Sequence, residues 1–418
     1  MIGRSQSITR TVVVVVVMVF VACSGRLPAQ ERGQRPTDEQ MWEEYLAELT
    51  EQGVEAGLDM NQLDALKQLA RLGALIVFDD DQPYVLLRQQ RSNVGARSIS
   101  GEGDEYRRAW QRRVSGNWKG TVSDLQLIGE LGASGLDIQN FEFGNEEIAA
   151  LGKLQGLESL KLLEFSRDID RRSFESFRDL QQLRTFISVN PRNGDELLEV
   201  LGNLPQLEFV SLIHGMVSET GIQHLQDLQN LKTLMLNNVR VTDDAVLAMC
   251  DMANLTRVGL TNLEDLTGAG LRDIGNLEQL EGYAITGRMP EARGFRVGAD
   301  TIRQLGQLRG VRYINLQNSE LDDELFAEIL ASWETDNPQP GGVQRVLWLD
   351  GTRITDRSID LMLESDGLQF DSALVLLPDG VSQETATRLH EAHPGWDIKL
   401  REGRGIRFLK ISDDNEQD

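Results

Sequence analysis

The side chains able to do acid–base, nucleophilic or metal chemistry are few in kind. The four histidines are His214, His224, His390 and His393, and the two cysteines are Cys23 and Cys250. His390 and His393 have metal-like spacing, but no carboxylate or thiol ligand set falls in phase with them and Pro394 stops the helix beside them, which reads as a cap. His214 follows a strand pattern and His224 lies in the next helix pattern, which argues against a shared site. Cys250 sits beside Met249 in an apolar helical stripe, with no nearby His or basic residue to lower its pKa, and reads as a buried inert thiol. Asp79-Asp80-Asp81 lacks the alternating ligands and downstream bidentate Glu of a calcium loop and reads as a hairpin turn. Gly101-Glu102-Gly103 is a flexible loop rather than a phosphate cradle. The 66 Asp and Glu could always supply a catalytic pair, yet most fall at helix starts or outer helix faces, where capping and solvation account for them. The expectation is a non-enzymatic protein with no catalytic residue, no metal and no cofactor.

The elements that would position any site are set by a repeat. Leu154-Leu157-Leu160-Leu162 has the spacing L-x-x-L-x-x-L-x-L, and the frame returns at Leu180, Leu204, Leu228, Met252, Leu277 and Leu308, in steps of 24 to 31 residues. A weaker unit at Ile128 precedes these, and Leu347-Trp348-Leu349 follows an insertion, making nine units. A second motif fixes the phase. An apolar residue, a Ser or Thr and usually an acid recur after each strand, as in Val217-Ser218-Glu219, Val241-Thr242-Asp243 and Ile354-Thr355-Asp356, with Leu266-Thr267-Gly268 and Leu321-Asp322-Asp323 as variants. Such residues start helices: the hydroxyl accepts from a free N–H of the first turn, and the acid meets the positive end of the dipole. Each repeat therefore reads strand, turn, short capped helix, return.

These residues carry a resemblance. The stretch 128–400 resembles leucine-rich repeats of the exported bacterial type whose turn reads G-T-x-I-T-D, here Gly351-Thr352-Arg353-Ile354-Thr355-Asp356. The resemblance implies an α/β solenoid: a right-handed arc with a parallel sheet on the concave face, short helices on the convex face and a helical N-terminal cap. It implies protein–protein interaction as the usual activity. The departures are Ser188 in place of a strand Leu and the loops at 288–298 and 333–342. Residues 386–398 are similar to the last helix and strand that close such arrays, a cap that an open end requires.

In this frame the residues alternating with the buried strand leucines face away from the core. They include Leu163, Ile187, Val189, Phe209, Ile213 and Met235, an apolar patch across four adjacent strands and the expected partner-binding surface. The competing reading is a register slip or bulge at Ser188 that takes some of them into the core. Tyr313 and Trp348 form a smaller aromatic pair and a second expected contact point.

The ends and the charge complete the layout. Arg4 and Arg10 precede the unbroken apolar run Val12 to Ala22, too short to span a bilayer, so residues 1–29 read as a signal peptide. Two ends fit: cleavage after Ala29, or cleavage before Cys23 with lipid on its sulfur. The chain is thus expected outside the cytoplasm, periplasmic or extracellular, with a membrane reached only through lipid on Cys23. Residues 30–87 read as a helical cap with a hairpin, 88–127 as a basic linker holding Trp110 and Trp118, 128–400 as the solenoid and 401–418 as an acidic tail. A net charge of -24 disfavours nucleic acid, because counterion release needs clustered Lys and Arg. The partner is expected to be a protein. The alternative is a surface-anchored lipoprotein that binds envelope carbohydrate or has a structural role.

Overall fold

The computed structural model describes residues 38–88 and 117–410, apart from 142, 164–168, 192, 262–265, 267–268, 287–296, 309–310, 335–343, 366–371 and 402–407. Cys23, the signal segment, most of the basic stretch and most of the loops at 288–298 and 333–342 lie outside the described residues. The chain divides into two compact units, Met1–Trp42 and Glu43–Asp418, and every strand belongs to the second.

After the helices α1 (Asp38–Glu55) and α2 (Met60–Arg71) come fourteen strands in one sheet, ordered as in the sequence. They are β1 (Leu75–Asp79), β2 (Gln82–Arg88), β3 (Gly135–Gln139), β4 (Ser159–Leu163), β5 (Thr185–Val189), β6 (Phe209–Val217) and β7 (Thr233–Val241). The series continues with β8 (Arg257–Thr261), β9 (Gly282–Thr286), β10 (Tyr313–Asn315), β11 (Gln344–Trp348), β12 (Ser372–Leu377), β13 (Asp397–Arg401) and β14 (Phe408–Lys410). From β2 to β13 neighbours are parallel; β1 and β14 add antiparallel edges. Between strands run short helices or 3-10 turns, packed on those of adjacent repeats. The architecture is an α/β solenoid, with successive parallel strands joined by short helices or 3-10 turns.

Register explains the leucine frame. Leu160, Phe186, Val210, Leu234 and Val258 pair in one continuous row, and all are fully buried. Ser188 stands in the next inward row between Leu162 and Leu212, so no slip or bulge occurs there. Its side chain is 0% exposed and its Oγ has no hydrogen-bond partner. A buried unmatched hydroxyl loses its water without compensation, so Ser188→Ala is expected to raise stability by about 1 kcal/mol in urea denaturation.

A backbone signature recurs at the end of the core strand segment in six repeats. Asn140, Asn190, His214, Asn238, Asn318 and Gly351 occupy the equivalent place, and all have positive φ, between 53° and 70°. Asn and Gly tolerate this left-handed region, which explains the column of asparagines. At Gly351 a Cβ would lie 2.1 Å from Asn318 Oδ1, so a larger residue would have to displace the Asn318 side chain. The Asn140, Asn190 and Asn318 N–H groups each donate to a carbonyl of the next repeat, those of Leu163, Ile213 and Asp350.

Three acids of the turn motif, Asp243, Asp323 and Asp356, and Asp195 at the corresponding helix start, do more than meet their own helix dipole. Asp195 accepts from both the N–H and the hydroxyl of Ser218, 23 residues on. Asp323 likewise accepts from the N–H of Thr355 at 2.8 Å and its Oγ1 at 2.7 Å, and from the Ser358 hydroxyl. Asp356 accepts from Ser382 N–H at 2.7 Å, and Asp243 from Gly270 N–H at 3.0 Å. Each carboxylate thus ties its repeat to the start of the following helix. Ser218, expected to cap its own helix, makes no such bond and spends its hydroxyl on Asp195.

Besides the closing strand β13, two parallel strands of the ladder fall outside the nine units read from the sequence. The hairpin strand β2 already pairs parallel with β3, and β12, from the run Ala373-Leu374-Val375-Leu376-Leu377, is a further rung before the closing strand. The hairpin turn Asp80-Asp81 has φ of 46° and 64°, the two left-handed residues of a tight β-hairpin.

Candidate functional site

The strand face opposite the helices is arranged in three cross-strand rows, each made by residues in direct register. The first carries Thr185, Phe209, Thr233 and Arg257, and later Tyr313. The second carries Asp137, Lys161, Ile187, Ser211 and Met235, and later Asn315 and Trp348. The third carries Gln139, Leu163, Val189, Ile213 and Asn237. Leu163, Val189 and Ile213 are therefore consecutive neighbours along one row. Ile187 and Met235 flank Ser211 in the row beside it, and Phe209 stands across from Thr185 and Thr233. All six apolar side chains are half-buried.

Row neighbours decide which positions on this face are accessible. Ser211, between Ile187 and Met235, is buried, and so is Thr233, between Phe209 and Arg257. A small side chain flanked at strand spacing by larger ones loses its solvent to them. The sequence pattern places these residues on the face; it does not reveal that their neighbours cover them.

Lys161 is only 6% exposed, despite its place on the outward face, and it belongs to a polar cluster at the start of the array. Its Nζ lies 5.4 Å from the centroid of the Tyr84 ring, in cation–π range. The same ring lies over Gly135, where a Cβ would come within 2.1 Å of it. Burial drives the Asp137 carboxyl up and the neighbouring Lys161 ammonium down, each opposed by the charge of the other. Asp137 Oδ2 accepts from Gln139 Nε2 at 3.2 Å, while its Oδ1 has no partner.

Tyr313 and Trp348 meet with ring centroids 6.0 Å apart and planes tilted by 56°. They occupy different rows of the paired strands β10 and β11, well along the sheet from the apolar cluster, so the eight sequence-selected residues form two groups. The indole Nε1 of Trp348 is buried without a hydrogen-bond partner.

The chemistry-bearing side chains are placed elsewhere. Burial, then the charges of Asp273 and Asp251, push the Cys250 thiol up to about 12, which leaves it protonated and unreactive at neutral pH. His393 stacks on Trp396 with centroids 4.0 Å apart, and burial lowers its pKa. Among the described residues no group of three or more His, Cys, Asp or Glu could hold a metal ion, and no helix is long and apolar enough to cross a membrane.

No protein-family model matches the chain, and no curated protein matches it. Among solved structures, the chain is similar to an internalin from Listeria monocytogenes str. 4b F2365, with 13% sequence identity and a TM-score of 0.40. That likeness covers 67% of this chain and 77% of the internalin.

Proposed function

We propose that this protein is an exported, non-enzymatic interaction module that binds another protein through the strand face of its array. The observation that carries this reading is the set Leu163, Ile187, Val189, Phe209, Ile213 and Met235, held at strand spacing on adjoining rows and half-buried. An apolar cluster on a sheet face opposite the helices keeps water against hydrocarbon, a state that covering by a partner relieves. Tyr313 and Trp348, whose rings meet at 6.0 Å, give a second contact point through their aromatic surface. Export is supported by Arg4 and Arg10 ahead of the apolar run Val12 to Ala22.

The test is affinity capture from an extract of the native cell envelope, with the purified protein and its Phe209→Asp, Met235→Asp variant as paired baits. Two acids within the cluster are expected to weaken the captured partner's binding about 100-fold or more, because an unpaired carboxylate buried in an apolar contact costs several kcal/mol. The melting temperature of the variant is expected to stay close to that of the parent, since both side chains lie outside the core. Equal recovery with both baits would remove this surface from consideration. N-terminal sequencing of the protein from its own cells decides the anchor: a start at Gln30 leaves no lipid on Cys23.

A further inference from the structure

We propose that the free edge of β1, with the groove between it and α1, is a second docking site, and that it takes an extended partner segment carrying basic side chains beside apolar ones. The site is distinct from the apolar strand face and does not depend on it.

Three observations converge. First, among the described residues β1 is the terminal strand of the sheet and pairs with β2 alone. The tight hairpin makes Asp79 and Gln82 the closing hydrogen-bonded pair, so Leu75, Val77 and Asp79 bond toward β2, while Ile76 and Phe78 turn their N–H and C=O groups outward. The position of Pro83 agrees. It stands opposite Phe78, where no bond to β1 is needed, and its carbonyl accepts from Ser134 N–H on the β3 side at 3.0 Å. Among the described residues nothing pairs with the outer groups of Ile76 and Phe78, and an unpaired edge of this kind is a template for one more strand.

Second, the edge opens on a groove of about 430 Å³, lined by Tyr45, Leu49, Ile76, Val77 and Phe78 among others. Val77 is 44% exposed, an apolar side chain left in solvent on an edge strand. The groove gives a place for every second side chain of an added strand, which a bare edge lacks.

Third, the walls are acidic. Glu48, Glu55 and Asp81 line the groove, and none of them has an ion pair among the described residues. Asp79 and Asp80 add charge at the hairpin end. This favours a basic segment and disfavours a second copy of the chain, whose own β1 would bring the same acids against these.

The experiment measures fluorescence anisotropy of a labelled octapeptide alternating lysine with valine, titrated with the purified protein. The expected result is saturable binding, weakened at least tenfold when glutamate replaces lysine. N-methylation of two adjacent central residues, which blocks both edges of the peptide, is expected to weaken binding at least tenfold as well, and this leaves the protein untouched. A Glu48→Lys, Glu55→Lys variant should reverse the order of the lysine and glutamate peptides, while the Phe209→Asp, Met235→Asp variant should bind the lysine peptide as the parent does. Undiminished binding of the N-methylated peptide would reduce the contact to charge attraction and overturn the proposal. So would an unchanged peptide preference in the charge-reversed variant, loss of binding in the strand-face variant, or no binding of the lysine peptide at millimolar concentration.

Discussion

Phe186→Ala is expected to lower the unfolding free energy by about 4 kcal/mol, the middle of the range for truncating a buried aromatic. Phe186 is fully buried in β5, and its ring meets that of Phe177 edge to face at 6.3 Å, which in turn meets Phe174 at 5.8 Å. Three aromatics fill this repeat because its connecting element is slight: a four-residue helix, Arg171–Phe174, and the 3-10 turn Glu175–Asp179. Short backbone leaves volume, and large side chains occupy it. Removing one ring opens a cavity that neither Phe177 nor Phe174 can close without shifting the turn or helix that carries it. In a solenoid the loss falls on two interfaces at once, since each repeat is stabilised by the one before and the one after. Urea denaturation followed by far-ultraviolet circular dichroism should show the lower midpoint. Hydrogen exchange should show the protection of β4 to β6 falling more than that of β8 and β9. Uniform loss across the sheet would mean that the array unfolds as one cooperative block.

Asp323→Asn is expected to cost about 2 kcal/mol, because one carboxylate satisfies an N–H and two hydroxyls of the following repeat. An amide has the same shape but presents a donor where Thr355 or Ser358 also donates. The same bonds set a pH dependence. Burial pulls the Asp323 carboxyl up, but hydrogen bonds from Ser358 and Thr355 outweigh it and hold the group below its ordinary value of 3.8. Asp356 is held low in the same way, with Ser382 overcoming the effect of burial. A carboxyl whose pKa is depressed in the folded state contributes stability that is complete above its unfolded value. That contribution is lost as pH falls through the depressed folded values. The expected result is a steep loss of stability below about pH 4 in the parent and a shallower one in Asp323→Asn. Parallel acid limbs would mean that other carboxylates govern acid unfolding.

How much of the fold and of the candidate site is legible in the sequence depends on which interaction is involved. Period-2 spacing places Leu163, Ile187, Val189, Phe209, Ile213 and Met235 on one face, and the register bears that geometry out. Ser188 breaks the hydrophobic pattern and suggests a slip; the ladder absorbs it because Leu162 and Leu212 hold their places on either side. Burial of Lys161 and Ser211 is not legible, since it depends on the bulk of residues a whole repeat away. The strand β12 escapes a leucine-spaced reading because its five apolar residues in a row lack the spacing of the other units. The link from Asp195 to Ser218 is hidden by its own economy of sequence. A serine and an acid at a helix start are already explained by capping, so nothing in the pattern asks for a second role. The unpaired edge of β1 follows from the hairpin, but the groove beside it depends on where α1 packs, which no local motif states.

The carboxylate tie between repeats has a direction: the acceptor sits in the earlier repeat and the donor in the next, and the repeat of β11 carries both, with Thr355 donating backward and Asp356 accepting forward. A gene segment duplicated or lost between equivalent positions would carry both halves of the joint with it, and the new neighbours would meet donor to acceptor as the old ones did. The array is thus suited to change length by unequal recombination without refitting its seams. Selection is then free to act on the outward rows, one unit at a time.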